Sequence, residues 1–165
     1  MSPRLVLIGA PAAGKTRLGK RIARLLNLGF LDTDKMVIAQ HGPIPAIFAE
    51  HGEAQFRVWE REAVIEALSS DGIVAFGGGA ILNEDTQRDL EGLNVALVTI
   101  TPEAAEKRLV DGSRPLLTGG IDAWVRLVEA RQPIYDRVST FRVDTSRRPL
   151  DHIAEEVAAQ LQENA

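Results

Sequence analysis

Residues 5–8 (Leu-Val-Leu-Ile) are apolar without alternation, and the run stops at Gly9. A short unbroken run of this kind predicts a strand buried on both faces. Residues 73–76 and 95–100 read the same way. Phe30 and Leu31 lead into Asp32, Thr33 and Asp34 as a short strand ending in acids, and residues 141–143 form a last short strand. Between these runs the spacing becomes helical. Leu18, Ile22, Leu25 and Leu26 mark a helix over 15–28, and further helices are predicted over 44–51 and 53–69, divided at Gly52. Another spans 83–90. The next is capped by Thr101, with Pro102 at its first position and Glu103 in its first turn. Helical spacing resumes at Ile121, Trp124, Leu127 and Val128, and residues 150, 153, 154, 157, 158 and 161 form the apolar stripe of a closing helix. Strands alternating with helices predict an α/β fold of three layers, with helices on both faces of a five-stranded parallel sheet. No repeat or linker divides the chain, so one domain over 1–165 is expected.

Composition narrows the function classes. The chain has 165 residues and is 45% hydrophobic and 25% charged, which suits a globular protein with a real core. Its net charge of -4 argues against a broad nucleic-acid surface, while still allowing a local positive pocket for a small anion. No apolar run approaches the ~18 residues of a membrane span. Residues 1–4 lead straight into the first strand without a signal-peptide layout. The absence of cysteine excludes disulfides and thiolate metal sites and makes the cytoplasm the default compartment. A monomer is expected, although nothing in the sequence fixes the oligomeric state. His41, His51 and His152 lack ligand-like spacing and are read as surface residues.

Gly9, Ala10, Pro11, Ala12, Ala13, Gly14, Lys15 and Thr16 match G-x-x-x-x-G-K-[ST] in full, between a buried strand and an amphipathic helix. The small residues let backbone N–H groups wrap a triphosphate, and the helix start adds its positive dipole end. Lys15 reaches the β- and γ-phosphates of ATP, and the Thr16 hydroxyl is offered to Mg²⁺. Asp32 and Asp34, two apart at a strand end, share a face toward the cleft where such sheets bind ligands. Spacing leaves their roles open. One carboxylate can hold magnesium through water and the other can accept a hydroxyl proton, or Asp34 can simply cap a helix beginning at Lys35.

From here the chain resembles shikimate kinase over nearly its whole length. Asp32-Thr33-Asp34 resembles that family's D-x-D. Ile47-Phe48, Gly52-Glu53 and Phe56-Arg57-Val58-Trp59-Glu60 resemble its I-F…G-E-x-x-F-R-x-x-E segment. Gly77-Gly78-Gly79 resembles its glycine triplet, Arg114-Pro115-Leu116-Leu117 its R-P-L-L lid, and Arg131-Gln132-Pro133-Ile134-Tyr135 its R-x-P-x-Y. The resemblance implies a P-loop kinase fold with a short lid over about 111–120. It also implies phosphoryl transfer from ATP to the 3-hydroxyl of shikimate, in the pathway to the aromatic amino acids. It assigns Asp34 to the reacting hydroxyl and Asp32 to magnesium through water.

Shikimate is a hydroxylated ring with a carboxylate. Arg57 and Arg131 suit that carboxylate, Glu60 is three residues from Arg57 on one helix, and Gly78 and Gly79 leave room for the ring. Fifteen of the nineteen basic residues are arginine, so a solvated surface role stands beside each assignment. Arg114, in a segment holding three glycines and a proline, reads as a lid arginine that neutralises charge on the transferred phosphoryl group, with a surface loop as the alternative. Arg108 resembles the family's adenine-stacking arginine, and Arg147, Arg148 and Pro149 fall where its second adenine loop lies; Arg148 is counted with the ATP site, and which of Arg147 and Arg148 packs on the base stays open, beside a solvated basic turn as the alternative. Ala13 stands where a glycine is frequent, and Arg17 where a small hydroxyl residue is usual. Both are counted with the nucleotide loop, with altered nucleotide affinity as the expected effect. The rival readings are another P-loop metabolite kinase, such as a gluconate kinase, and a non-catalytic ATP-binding module.

Overall fold

The computed structural model describes residues 1–110 and 119–165. Most of the segment read as a lid, including Arg114, lies outside the described residues. Five strands form one sheet in the order β2-β3-β1-β4-β5, and every pairing is parallel. They are β1 (Leu5–Gly9), β2 (Phe30–Asp32), β3 (Ile73–Ala75), β4 (Val95–Thr99) and β5 (Phe141–Asp144). The helices are α1 (Lys15–Leu26), α2 (Thr33–His41), α3 (Ile44–Leu68), α4 (Glu84–Asp89), α5 (Pro102–Val110), α6 (Gly120–Val138) and α7 (Leu150–Glu163).

Strand alternation explains why the runs look uniformly apolar. Leu5, Leu7, Ile73, Ala75, Ala96 and Val98 face one core with α1 and α7. Val6, Ile8, Val74, Phe76, Val95 and Leu97 face a second, with Val64 and Ala67 of α3 and Tyr135 of α6. Both faces are covered, so alternate positions have no reason to be polar. Each buried Val, Leu, Ile or Phe among them contributes roughly 1.5–3 kcal/mol by leaving water, and each alanine less. A smaller third cluster of Val37, Ile47, Phe56 and Ala63 ties α2 to α3.

The expected division at Gly52 appears as a kink, where φ 83 and ψ 165 interrupt α3. A helix from Lys35 is only an alternative in the sequence, and the structure has α2 in that place, beginning two residues earlier at Thr33. Its cap is Asp32 rather than Asp34: the Asp32 side chain accepts the Lys35 N–H at 3.1 Å, and Asp34 sits in the first turn. His41 also departs from the surface reading. It is partly buried and stacks on Trp59 with ring centroids 3.7 Å apart, while His51 meets the same indole edge-on.

The strand order decides where the motifs meet. β3 lies between β1 and β2, so the loop after β1, the acids after β2 and the glycines after β3 end side by side at the carboxyl edge of the sheet. Open α/β sheets bind ligands at that edge, where the order of strands switches direction.

Candidate active site

The phosphate loop is shaped by ties from distant parts of the chain. Gly14 precedes α1 at φ 90, a left-handed torsion that favours glycine. Three consecutive loop carbonyls accept side-chain hydrogen bonds. Trp124 Nε1 donates to Pro11 O at 2.8 Å, Arg108 donates to Ala12 O at 2.9 Å, and Thr145 Oγ1 donates to Ala13 O at 2.7 Å. Carbonyls held outward in this way leave the loop free to present its N–H groups to an anion. Lys15 is buried and donates to the Gly9 and Ala10 carbonyls at 2.7 and 3.0 Å. The loop's left-handed alanine is Ala12, at φ 69. Ala13 is outside that region, so its methyl brings no backbone strain of this kind.

Thr16 and Asp32 meet across the cleft, with the Thr16 hydroxyl donating to Asp32 at 2.5 Å. With Pro11, Lys15, Asp34, Gly77 and Gly78 they line a cleft of ≈ 470 Å³. Two oxygen donors of this kind fit magnesium, which keeps several waters and takes further ligands from substrate phosphates.

The glycine triplet organises the acceptor side. A Cβ at Gly77 would stand 2.1 Å from Asp34 Oδ1, one at Gly78 3.3 Å from an Arg131 guanidinium nitrogen, and one at Gly79 2.4 Å from an Arg57 nitrogen. Each glycine therefore gives up its side chain so that a different charged group can approach. Arg131 also donates to Gly78 O at 2.8 Å. Arg57 donates to Glu60 at 2.8 Å. Arg57, Glu60 and Gly79 line an adjoining cavity of ≈ 290 Å³.

The electrostatics follow from burial. Glu60 is 4% exposed, and desolvation raises its pKa above the ordinary value. Arg57 opposes that rise, Asp34 adds to it, and Arg131 lowers it. Burial disfavours the Arg57 charge, but Glu60 and then Glu53 outweigh that effect and raise its pKa.

The expected residues separate into two groups. Lys15, Thr16, Asp32, Asp34 and Gly78 line the cleft, Arg131 is held against Gly78, and Arg57 and Gly79 line the neighbouring cavity. Arg17 is exposed, and Arg148 makes a bidentate pair with Glu156 on α7 at 2.7 Å through both nitrogens. Arg108 spans Ala12 O and Thr145 O beneath the loop, the latter at 2.8 Å. Sequence reasoning missed Thr33, which is fully buried and accepts the Gly77 N–H at 2.8 Å. Its place inside Asp-Thr-Asp was the available signal. It also missed Trp124 and Thr145, for which local spacing carries no signal.

Comparison with known proteins places these motifs in a family. A family model described as shikimate kinase matches residues 11–162. A shikimate kinase of Thermobifida fusca is 44% identical over 163 residues, covering 96% of this chain and 95% of the relative. The solved structure of a shikimate kinase from Acinetobacter baumannii in complex with shikimate superposes with a TM-score of 0.89 at 28% identity, covering 99% of this chain and 94% of that one. A gluconokinase from Sinorhizobium meliloti gives a TM-score of 0.66 at 18% identity, covering 98% of this chain and 92% of that one, a likeness of fold alone.

Proposed function

The chain belongs to the shikimate kinase family, and from that premise we propose that it transfers the γ-phosphoryl group of ATP to the 3-hydroxyl of shikimate, releasing ADP and shikimate 3-phosphate. The observation that carries this reading is the glycine triplet, which sets one carboxylate and two guanidinium groups against one short stretch of backbone beside the phosphate loop. That is the equipment for a small hydroxylated acid. Arg57 and Arg131 bind its carboxylate, and Asp34 takes the proton of the attacking hydroxyl.

On the donor side the loop N–H groups and Lys15 hold the β- and γ-phosphates. Lys15 exchanges its two carbonyl partners for phosphate oxygens when ATP binds. Thr16 and Asp32, the latter through water, would hold Mg²⁺, which supplies charge neutralisation at the phosphates. Arg108 donates to Ala12 O and Thr145 O beside the loop, and it is assigned to the adenine, like Arg148, on sequence position. Arg114 is assigned to the charge of the transferred group on sequence position alone. No described helix is long and apolar enough to cross a membrane, and a cytoplasmic monomer is the state proposed.

A coupled assay of ADP release, with purified protein, ATP, magnesium and either shikimate or gluconate, tests the reading. Release that depends on shikimate is expected. Turnover with gluconate alone would move the chain to the rival kinase class, and binding of ATP without turnover on either acid would make it a binding module.

A further inference from the structure

Tyr135 lies 1% exposed in the core beside Val6, Ile8, Phe76 and Ala80. Its ring suits that place, but its hydroxyl does not. Among the described residues it is the one buried side-chain polar atom without a hydrogen-bond partner. A buried hydroxyl left unpaired lowers stability, and phenylalanine would fill nearly the same volume without that cost. Packing therefore explains the ring and leaves the oxygen unexplained.

Its neighbours suggest a use. Arg131 precedes Tyr135 by one turn of α6, and side chains four apart lie on one face. Burial pushes the Tyr135 pKa up, and Arg131 pulls it back, first through its charge and then through a side-chain approach to the phenol oxygen that falls short of a formed hydrogen bond. The phenol thus stays neutral within the influence of a guanidinium. Pro133 stands between the two and removes a backbone donor from the helix at that turn. The two acceptor-side arginines are held differently. Arg57 is braced by the Glu60 carboxylate, whereas Arg131 gives an N–H to the carbonyl of Gly78. A guanidinium carries five N–H donors, so one bond to a carbonyl leaves its plane able to turn. A neutral oxygen on the core side would fix that plane without neutralising the charge needed for a carboxylate.

We propose that Tyr135 is a positioning residue for Arg131, its phenolic oxygen accepting a guanidinium N–H when the acceptor's carboxylate engages the remaining donors. The inference rests on the reading of Arg131 as a carboxylate-binding residue.

The test is calorimetry with shikimate and with ATP, plus thermal unfolding, on the full chain and on Tyr135→Phe, Arg131→Ala and the double variant. Tyr135→Phe is expected to weaken shikimate binding about tenfold, the scale of one hydrogen bond to a charged group. It should leave ATP affinity unchanged and the unfolding midpoint equal or higher. In the Arg131→Ala background it should add nothing, because its effect passes through that arginine. Normal shikimate binding by Tyr135→Phe, with binding lost in Arg131→Ala, overturns the positioning role and leaves the Arg131 reading standing. Weaker binding of both ligands with a lower midpoint makes Tyr135 structural and also overturns it, as does an additive double variant. Intact shikimate binding in Arg131→Ala removes the underlying reading and the inference with it.

Discussion

Gly77, Gly78 and Gly79 are identical in sequence and different in what they permit, and substitution should separate them. A methyl at Gly79 meets the far end of the Arg57 side chain at 2.4 Å. That end can swing away, so Gly79→Ala should fold normally and raise the KM for shikimate while leaving that for ATP nearly unchanged. A methyl at Gly77 meets Asp34 Oδ1 at 2.1 Å and its Cγ at 2.5 Å, on a side chain too short to yield easily. Steady-state kinetics should then show Gly77→Ala losing turnover, toward the roughly 10²–10⁴-fold loss expected when Asp34→Asn removes the proposed proton acceptor. Full turnover in Asp34→Asn would show that no basic side chain is needed there. Glu60 gives a pH prediction whose sign follows from its raised pKa. The folded state prefers the protonated carboxyl, so the stabilisation is complete below the ordinary value of 4.5 and is lost as pH rises through the folded value. Glu60→Gln should flatten that decline in unfolding scans across pH. It should also weaken the hold on Arg57 and raise the KM for shikimate. An unchanged slope in Glu60→Gln would show that Glu60 titrates alike in both states.

At the scale of elements, α2 is where a helix cap and the proposed magnesium role fall on one residue. Asp32 caps the helix through Lys35 N–H and accepts the Thr16 hydroxyl with its other oxygen. Two substitutions separate these jobs. Asparagine caps about as well as aspartate, so Asp32→Asn should keep the unfolding midpoint and raise the magnesium needed for half-maximal rate. Asp32→Ala should show the same magnesium defect and in addition lose about 1 kcal/mol of stability. Equal midpoints in the two variants would mean that the cap contributes nothing measurable. This helix was also the hardest element to read. Met36, Val37 and Ile38 are consecutive, so they draw no stripe at helical spacing; Met36 and Val37 pack with Ile47, Phe56 and Ala63 of α3, and Ile38 is exposed. The cap signal was visible but was placed on Asp34, two residues late. Elements whose apolar residues fall on one face were legible almost to their ends. The closing helix runs over Leu150–Glu163, with Ile153, Ala154, Val157, Ala158 and Leu161 buried as the stripe required. Gly52 divides α3 where expected, because a positive φ there suits glycine.

Across the whole molecule, the alternation of elements was enough to expect a parallel sheet, but it carried no information on which loops meet. That depends on β3 entering between β1 and β2. The ties that shape the phosphate loop were invisible for the same reason. Trp124, Arg108 and Thr145 act on three adjacent carbonyls from 113, 96 and 132 residues away. The motif names the loop, and distant side chains hold it in form. One consequence can be measured with the two tryptophans, one tied to the phosphate loop and the other between α2 and α3. Trp124 is buried with its N–H on Pro11 O, on the nucleotide side. Trp59 stacks on His41 between α2, which carries Asp34, and α3, which carries Arg57. Each should report its own ligand by fluorescence. Trp59→Phe should keep the response to ATP and lose that to shikimate, and Trp124→Phe should do the reverse. Trp124→Phe also removes the donor to Pro11, so its affinity for ATP should fall by up to about tenfold, the scale of one hydrogen bond, with shikimate affinity unchanged. If shikimate alone changes the Trp124 signal as strongly as ATP does, the acceptor side acts on the phosphate loop before nucleotide arrives. The site would then work as one unit rather than two halves.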